Sequence, residues 1–180
     1  MSAELSAPAV RAVPVPHAAT AAASLFLSLL LLARYGLTAE GFAAAFAATV
    51  LVVASAEDLR RRIIPNRLVL PAWGVLLAAQ LLASPDHWGE YVLASLGGAI
   101  LFLVPALLFP AGLGMGDVKL VLFIGAAVGA EIVPTLLIGT LSAAFFGLAL
   151  LLWMGPRARR IAFPFGPFLA VGAVVALLFL

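Results

Sequence analysis

Residues 41–84 read GFAAAFAATVLVVASAEDLRRRIIPNRLVLPAWGVLLAAQLLAS. An apolar run from Gly41 to Ala56 meets the junction Glu57-Asp58-Leu59-Arg60-Arg61-Arg62, and a second apolar run starts after Pro65-Asn66. Each run approaches the roughly 20 residues that carry a helix across a bilayer. Charges confined to the junction mark where the chain leaves hydrocarbon and turns back, so the stretch predicts a helical hairpin in a membrane. Asp58 sits badly there, because a helix C-terminus disfavours an acid and a membrane boundary makes a carboxylate costly. Glu57 adds to that cost and Arg60 to Arg62 offset it, so the junction carries either topology alone or a functional acid. The arginines read chiefly as a topology signal and secondarily as a substrate or headgroup contact. Pro65 and Asn66 read as a helix break and an N-cap, with site shaping as the other reading.

The rest of the chain extends this pattern. Of 180 residues, 65% are hydrophobic and 10% charged, with a mean hydropathy of +1.22, whereas soluble domains carry about 25% charged residues. The predicted fold is all-α and polytopic, a bundle of about seven transmembrane helices, or six if the first apolar segment is not a span. Helices are predicted near 18–35, 41–57, 67–84, 90–109, 117–130, 132–154 and 163–180, the fifth short for a span and tilted or partly re-entrant. Residues 1–17 contain Pro8, Pro14 and Pro16 and read as a flexible tail; 18–180 form the membrane domain. Leu25 to Leu32 also fits the core of a cleaved signal peptide, although its basic flank is weak. Small residues four apart, Gly125 with Gly129 and Gly139 with Ala143 and Gly147, predict close helix packing.

Charge excludes several classes. The net charge is +2, and the cations are too few and too confined to loops to make a nucleic-acid footprint. Cysteine is absent and His17 and His87 are the two histidines, so neither disulfides nor a conventional zinc site is expected. Lys and Arg bias orients the chain. With the N-terminus inside, Arg11, Arg60, Arg61, Arg62, Arg67, Lys119, Arg157, Arg159 and Arg160 are cytoplasmic and Arg34 is outside. Two spans then separate Asp58 from Asp117, so both carboxylates return to one face instead of lying about 30 Å apart across the bilayer.

Asp117 belongs to GLGMGDVKL, residues 112–120. Gly114 and Gly116 allow tight or positive-φ backbone and a close approach to substrate, and the aspartate opens a helix whose N-terminus favours its charge. A plain helix-start acid is the competing reading. Toward the end, FPFGPFLA places Pro164, Gly166 and Pro167 at the start of the last helix. They read equally as an ordinary first turn and as a rigid non-helical element covered by protein.

Taken together, Asp58 in DLRRRIIPNRL, Asp117 in GMGDVK and the terminal PFGPFLA resemble the type IV prepilin peptidases, GxGD membrane aspartic proteases, and in particular the short form of tight-adherence (Flp) pilus systems. The resemblance covers roughly residues 40–180. It implies a bacterial inner-membrane endopeptidase whose Asp58 and Asp117 form a catalytic pair at the cytoplasmic face. Gly114, Gly116, Lys119, Pro65, Asn66, Pro164, Gly166 and Pro167 would bind substrate or shape the site. It also implies a prepilin substrate with a basic leader and an apolar membrane segment, lipid surroundings, the pilus assembly machinery as a candidate partner, and no cofactor or metal. The long form of the family carries a cysteine-rich cytoplasmic insertion linked to N-methylation. This chain has no cysteine, so methyl transfer is not expected.

Two nearby carboxylates do not both ionise readily, which suits one to protonate a carbonyl while the other activates water. A small transporter using the paired acids is the rival reading, and a non-enzymatic scaffold a third. An ion pathway predicts polar residues along the spans, and these spans carry few.

Overall fold

The structure, a computed structural model, describes residues 14–108, 113–155 and 163–180. Among these it contains seven α-helices and no strand: α1 (His17–Tyr35), α2 (Ala39–Arg61), α3 (Asn66–Ala83), α4 (Trp88–Leu108), α5 (Met115–Val128), α6 (Ile132–Met154) and α7 (Gly166–Phe179). Five stretches are long and apolar enough to cross a membrane, counting α5 and α6 as one. The protein is a multi-pass membrane protein. Helices α5 and α7 have 14 residues each, a rise of about 21 Å against a hydrocarbon thickness of about 30 Å. Most of the predicted tail, Arg11 and the cluster Arg157, Arg159 and Arg160 lie outside the described residues.

Helix α2 is central because it is lined with small residues. Ala44, Ala47, Ala48, Leu51 and Ala54 are buried, and side chains this small let neighbouring backbones approach where lipid supplies no hydrophobic drive between helices. Thr38 starts α2 by accepting a hydrogen bond from the Gly41 amide at 3.1 Å. Helix α5 is the second central element, with Leu120, Val121, Phe123 and Ile124 fully buried. It ends at Gly129, whose φ is +55°. A side chain there would also run into the Tyr91 ring. Gly129 is thus a turn residue that also continues, with Gly125, the close packing predicted for this pair, against Tyr91 of α4.

Gly125 packs closely too, and so does Gly139, where a Cβ would lie 3.0 Å from the Phe168 carbonyl. A Cβ on Gly125 would collide with the backbone of Ala94 and Ser95 in α4, and one on Gly172 of α7 would collide with Thr135 and Gly139 of α6. Buried polar groups tie helices across the bundle. Gln80 of α3 donates to the Ala126 carbonyl near the end of α5 at 3.3 Å, and Tyr35 donates to the Leu177 carbonyl at 2.9 Å. Helix α1 is peripheral, with Leu31 its one buried residue. Two antiparallel helices, α3 and α4, connect α2 to α5, so the end of α2 and the start of α5 share one end of the bundle.

Candidate functional site

At that shared end, α2 stops with Arg62 in left-handed conformation, φ +55°, its amide bonded to the Asp58 carbonyl at 2.8 Å. The reversal lets Ile63 to Pro65 lead into α3. Pro65, in extended conformation, occupies the cap of α3, and Asn66 is the first helical residue without a capping bond. The predicted Asn66 N-cap is therefore incorrect. Its side-chain oxygen is instead taken by Lys119, whose Nζ donates to Oδ1 at 2.7 Å, linking the α2–α3 junction to α5.

Helix α5 begins two residues before Asp117. Gly114 is the cap, and Asp117 Oδ2 accepts from the Gly114 amide at 3.1 Å, the reciprocal half of a capping box. Neither Gly114 nor Gly116 takes the positive φ that the sequence allowed. Gly116 is closely packed, since a Cβ there would lie 3.2 Å from Ile64 Cβ. The nearest contact for a Cβ on Gly114 is the ordinary 3.4 Å to Asp117 Oδ2, and Gly114 is exposed.

Asp58 is held from farther away. It is 7% exposed, and its Oδ2 accepts from the amide of Gly166, at the first residue of α7, at 3.0 Å. Pro167 follows in the first turn of α7, where a missing N–H is tolerated, and Phe165 stacks against Phe102. The PFGP segment thus turns directly into a helix.

Asp58 and Asp117 line one cavity of about 330 Å³, together with Asn66, Gly114, Gly116 and Lys119. Each carboxylate lies within electrostatic reach of the other. Gly166 joins the cavity through its bond to Asp58, whereas Pro167 lines a separate apolar groove between α1, α2 and α7. Pro65 and Pro164 are not among the cavity residues. Arg62, Ile63, Ile64 and Met115 are; Arg62 belongs to the cluster read secondarily as a substrate or headgroup contact, and the sequence reading did not single out the other three. Their adjacency to both motifs was the available signal. The Arg62 charge reaches Asp58. Arg60 does different work, donating to Glu57 at 3.1 Å, the Val15 carbonyl at 2.8 Å and Thr20 at 3.0 Å, which fastens α1 to α2. The arginine cluster is thus also a structural joint.

Residues 45–155 match the type IV leader peptidase family, Peptidase_A24, a span that contains both aspartates and the residues lining the cavity but not Gly166. The chain belongs to the type IV leader peptidase family. Its curated relatives include a prepilin leader peptidase/N-methyltransferase of Bacillus subtilis, 31% identical over 147 residues, 81% of this chain and 59% of that protein. Proteins of the same name from Aeromonas hydrophila and Xanthomonas campestris are each 34% identical, over 72% and 79% of this chain and 46% and 51% of theirs. The chain spans about half the length of the curated relatives it matches. No solved structure matches it.

Proposed function

We propose that this leader-peptidase family member is an aspartic endopeptidase of the bacterial inner membrane that removes the leader of type IV, Flp-like prepilins at the cytoplasmic face. The observation that carries the reading is that Asp58 and Asp117, from helices separated by two others, line one cavity. With one carboxyl protonated, the ionised partner removes a proton from water while the hydroxide forms a bond to the scissile carbonyl carbon. The protonated carboxyl delivers its proton to the carbonyl oxygen. Collapse of the tetrahedral intermediate breaks the C–N bond, with a proton passing to the leaving amine. Acid and base belong to the pair and not to either residue. Asn66, Lys119, Gly114 and Gly116 border the reacting groups, and Pro65, Pro164 and Pro167 fix the segments around them.

The transporter reading lacks support along the bundle. Among the described residues the buried polar side chains are Asp58, Gln80, Ser95 and Thr135, and Gln80 and Ser95 are engaged in bonds between helices.

Co-expression with a type IV prepilin, read by mass spectrometry, tests the proposal. A shortened pilin without N-methylation is expected with the wild-type chain and the intact precursor with Asp58→Asn. An unprocessed precursor in both would refute the peptidase reading, and a methylated product with no other modifying protein present would refute the expectation that this chain does not transfer methyl groups. Topology is tested by single cysteines in this cysteine-free chain, with labelling from outside expected at Ser84 and not at Arg61.

A further inference from the structure

The first turn of α7 has few amides to offer, and their destinations can be counted. Phe168 and Leu169 both donate to the Phe165 carbonyl, at 3.1 and 3.3 Å, and Pro167 has no N–H. The remaining amide, that of buried Gly166, goes to Asp58 Oδ2. Buried backbone donors require a partner, so Asp58 and Gly166 satisfy each other across 108 residues of sequence.

Space at Gly166 adds an independent constraint. A Cβ there would lie 2.8 Å from Asp58 Oδ2 and 3.3 Å from its Cγ. The obstructing atom is the end of a side chain, so a methyl at 166 would displace the carboxylate and leave the helix in place. Gly172, two turns on, differs in kind, because a Cβ there meets the backbone of α6, which cannot turn aside.

We infer that Gly166 is a positioning residue for Asp58: its amide fixes one carboxylate oxygen, its missing side chain leaves that oxygen room, and α7 thereby sets where the other oxygen points. The functional consequence rests on the peptidase reading; the geometry does not. The carboxylate can turn about its Cβ–Cγ bond, and a single donor from a rigid helix start stops that rotation. Orientation matters because misplacing a reacting group by about 1 Å costs on the order of 10²-fold in rate.

The experiment has two arms. Carbonyl-¹³C phenylalanine combined with ¹⁵N glycine marks only the Phe-Gly pairs, which in this sequence are Phe146-Gly147 and Phe165-Gly166, so NMR in micelles follows the Gly166 amide with Gly147 as an internal reference. Hydrogen exchange at Gly166 is expected to be slow in the wild type and in Asp58→Asn, which keeps an acceptor. It should be at least about tenfold faster in Asp58→Ala, which leaves the donor unpaired. Equal protection in Asp58→Ala and wild type, with Gly147 unchanged, would overturn the inference. In the second arm, with a type IV prepilin, Gly166→Ala is expected to lower kcat roughly 10²-fold, with KM within about threefold and thermal stability lowered no more than in Asp58→Ala. Gly172→Ala should lower thermal stability further, since its methyl meets backbone. A Gly166→Ala protein that cleaves like wild type would also overturn the inference. A wild-type chain that leaves the prepilin uncut refutes the peptidase reading alone, since the exchange arm needs no substrate.

Discussion

Asp117 and Asp58 share a cavity but are held in opposite ways. Asp117 is fixed by its own neighbourhood, through a bond to an amide three residues away that forms whenever α5 starts. Asp58 stands at the end of α2, where a helix terminus does not welcome an acid, and its bond comes from α7. One anchor is local and the other tertiary. One half of the site therefore forms with its helix, while the other exists only once the last helix has docked.

Despite that difference, the two carboxylates should be equally indispensable if they act as one pair. Asp58→Asn and Asp117→Asn are each expected to lower prepilin cleavage at least about 10³-fold, with the protein still accumulating in the membrane. The double mutant should be scarcely worse than either single one, because groups serving one chemical step are not additive. Asp86→Asn is the control, as Asp86 lies in the 3-10 turn before α4, at the other end of the bundle. Near-normal cleavage by either single mutant, measured by mass spectrometry of the pilin, would break the pair.

Alanine, unlike asparagine, should separate the two anchors. Asp58→Ala leaves the buried Gly166 amide without an acceptor and is expected to cost about 1–3 kcal/mol of stability. Asp117→Ala exposes the Gly114 amide to water and should cost about 0.5–1 kcal/mol, as for a lost cap. Thermal unfolding in detergent measures both. Equal losses would mean that the tertiary anchor is no stronger a constraint than the local one.

The same contrast explains what the sequence revealed. The seven helices were legible because apolar runs of the right length are bounded by charge, glycine and proline. Asp117 was legible because the glycine-aspartate spacing of its motif lies within one turn. Asp58 was legible as an acid in an unfavourable place and Gly166 as a shaping residue by resemblance, but not the bond between them, because no local pattern joins residue 58 to residue 166. Asn66 misled for a related reason. Asparagine is a good N-cap, yet Pro65 in extended conformation already fills the cap, and Lys119, 53 residues on, claims the asparagine oxygen. Gly129 does pack on α4 as its four-residue spacing from Gly125 predicts, and the positive φ with which the chain turns there is what the spacing alone did not show. At Asn66 a contact set by the tertiary fold displaced the local reading.

The two glycines of the GxGD motif test the local anchor itself. Gly116→Ala pushes against Ile64 and is expected to cost about 1–3 kcal/mol as overpacking. Gly114→Ala meets no such obstruction, so its stability should fall by about 0.5–1 kcal/mol, the cost of alanine in place of glycine at an N-cap, while the added methyl occupies the cavity and raises KM for prepilin. Unfolding curves and steady-state cleavage together separate the outcomes. A Gly114→Ala protein with unchanged KM would show that substrate does not approach there.

The smallest expected effect lies where the two anchors are joined. Lys119 follows Asp117 by two residues, Asn66 follows the junction that Asp58 begins, and their bond spans the cavity rim. Exposure to water limits such a bond to roughly 1 kcal/mol, so Asn66→Leu should reduce cleavage about three- to fivefold. Lys119→Met should do the same, and the double mutant should be no worse than either, since both remove one interaction. Asn66→Asp supplies an acceptor for the ammonium in the same place and should remain within about twofold of wild type. If Asp at 66 proved as harmful as Leu, the amide group of Asn66 would be the part that matters. Its role would then be donation toward substrate and not the bracing of α5 against the end of α2.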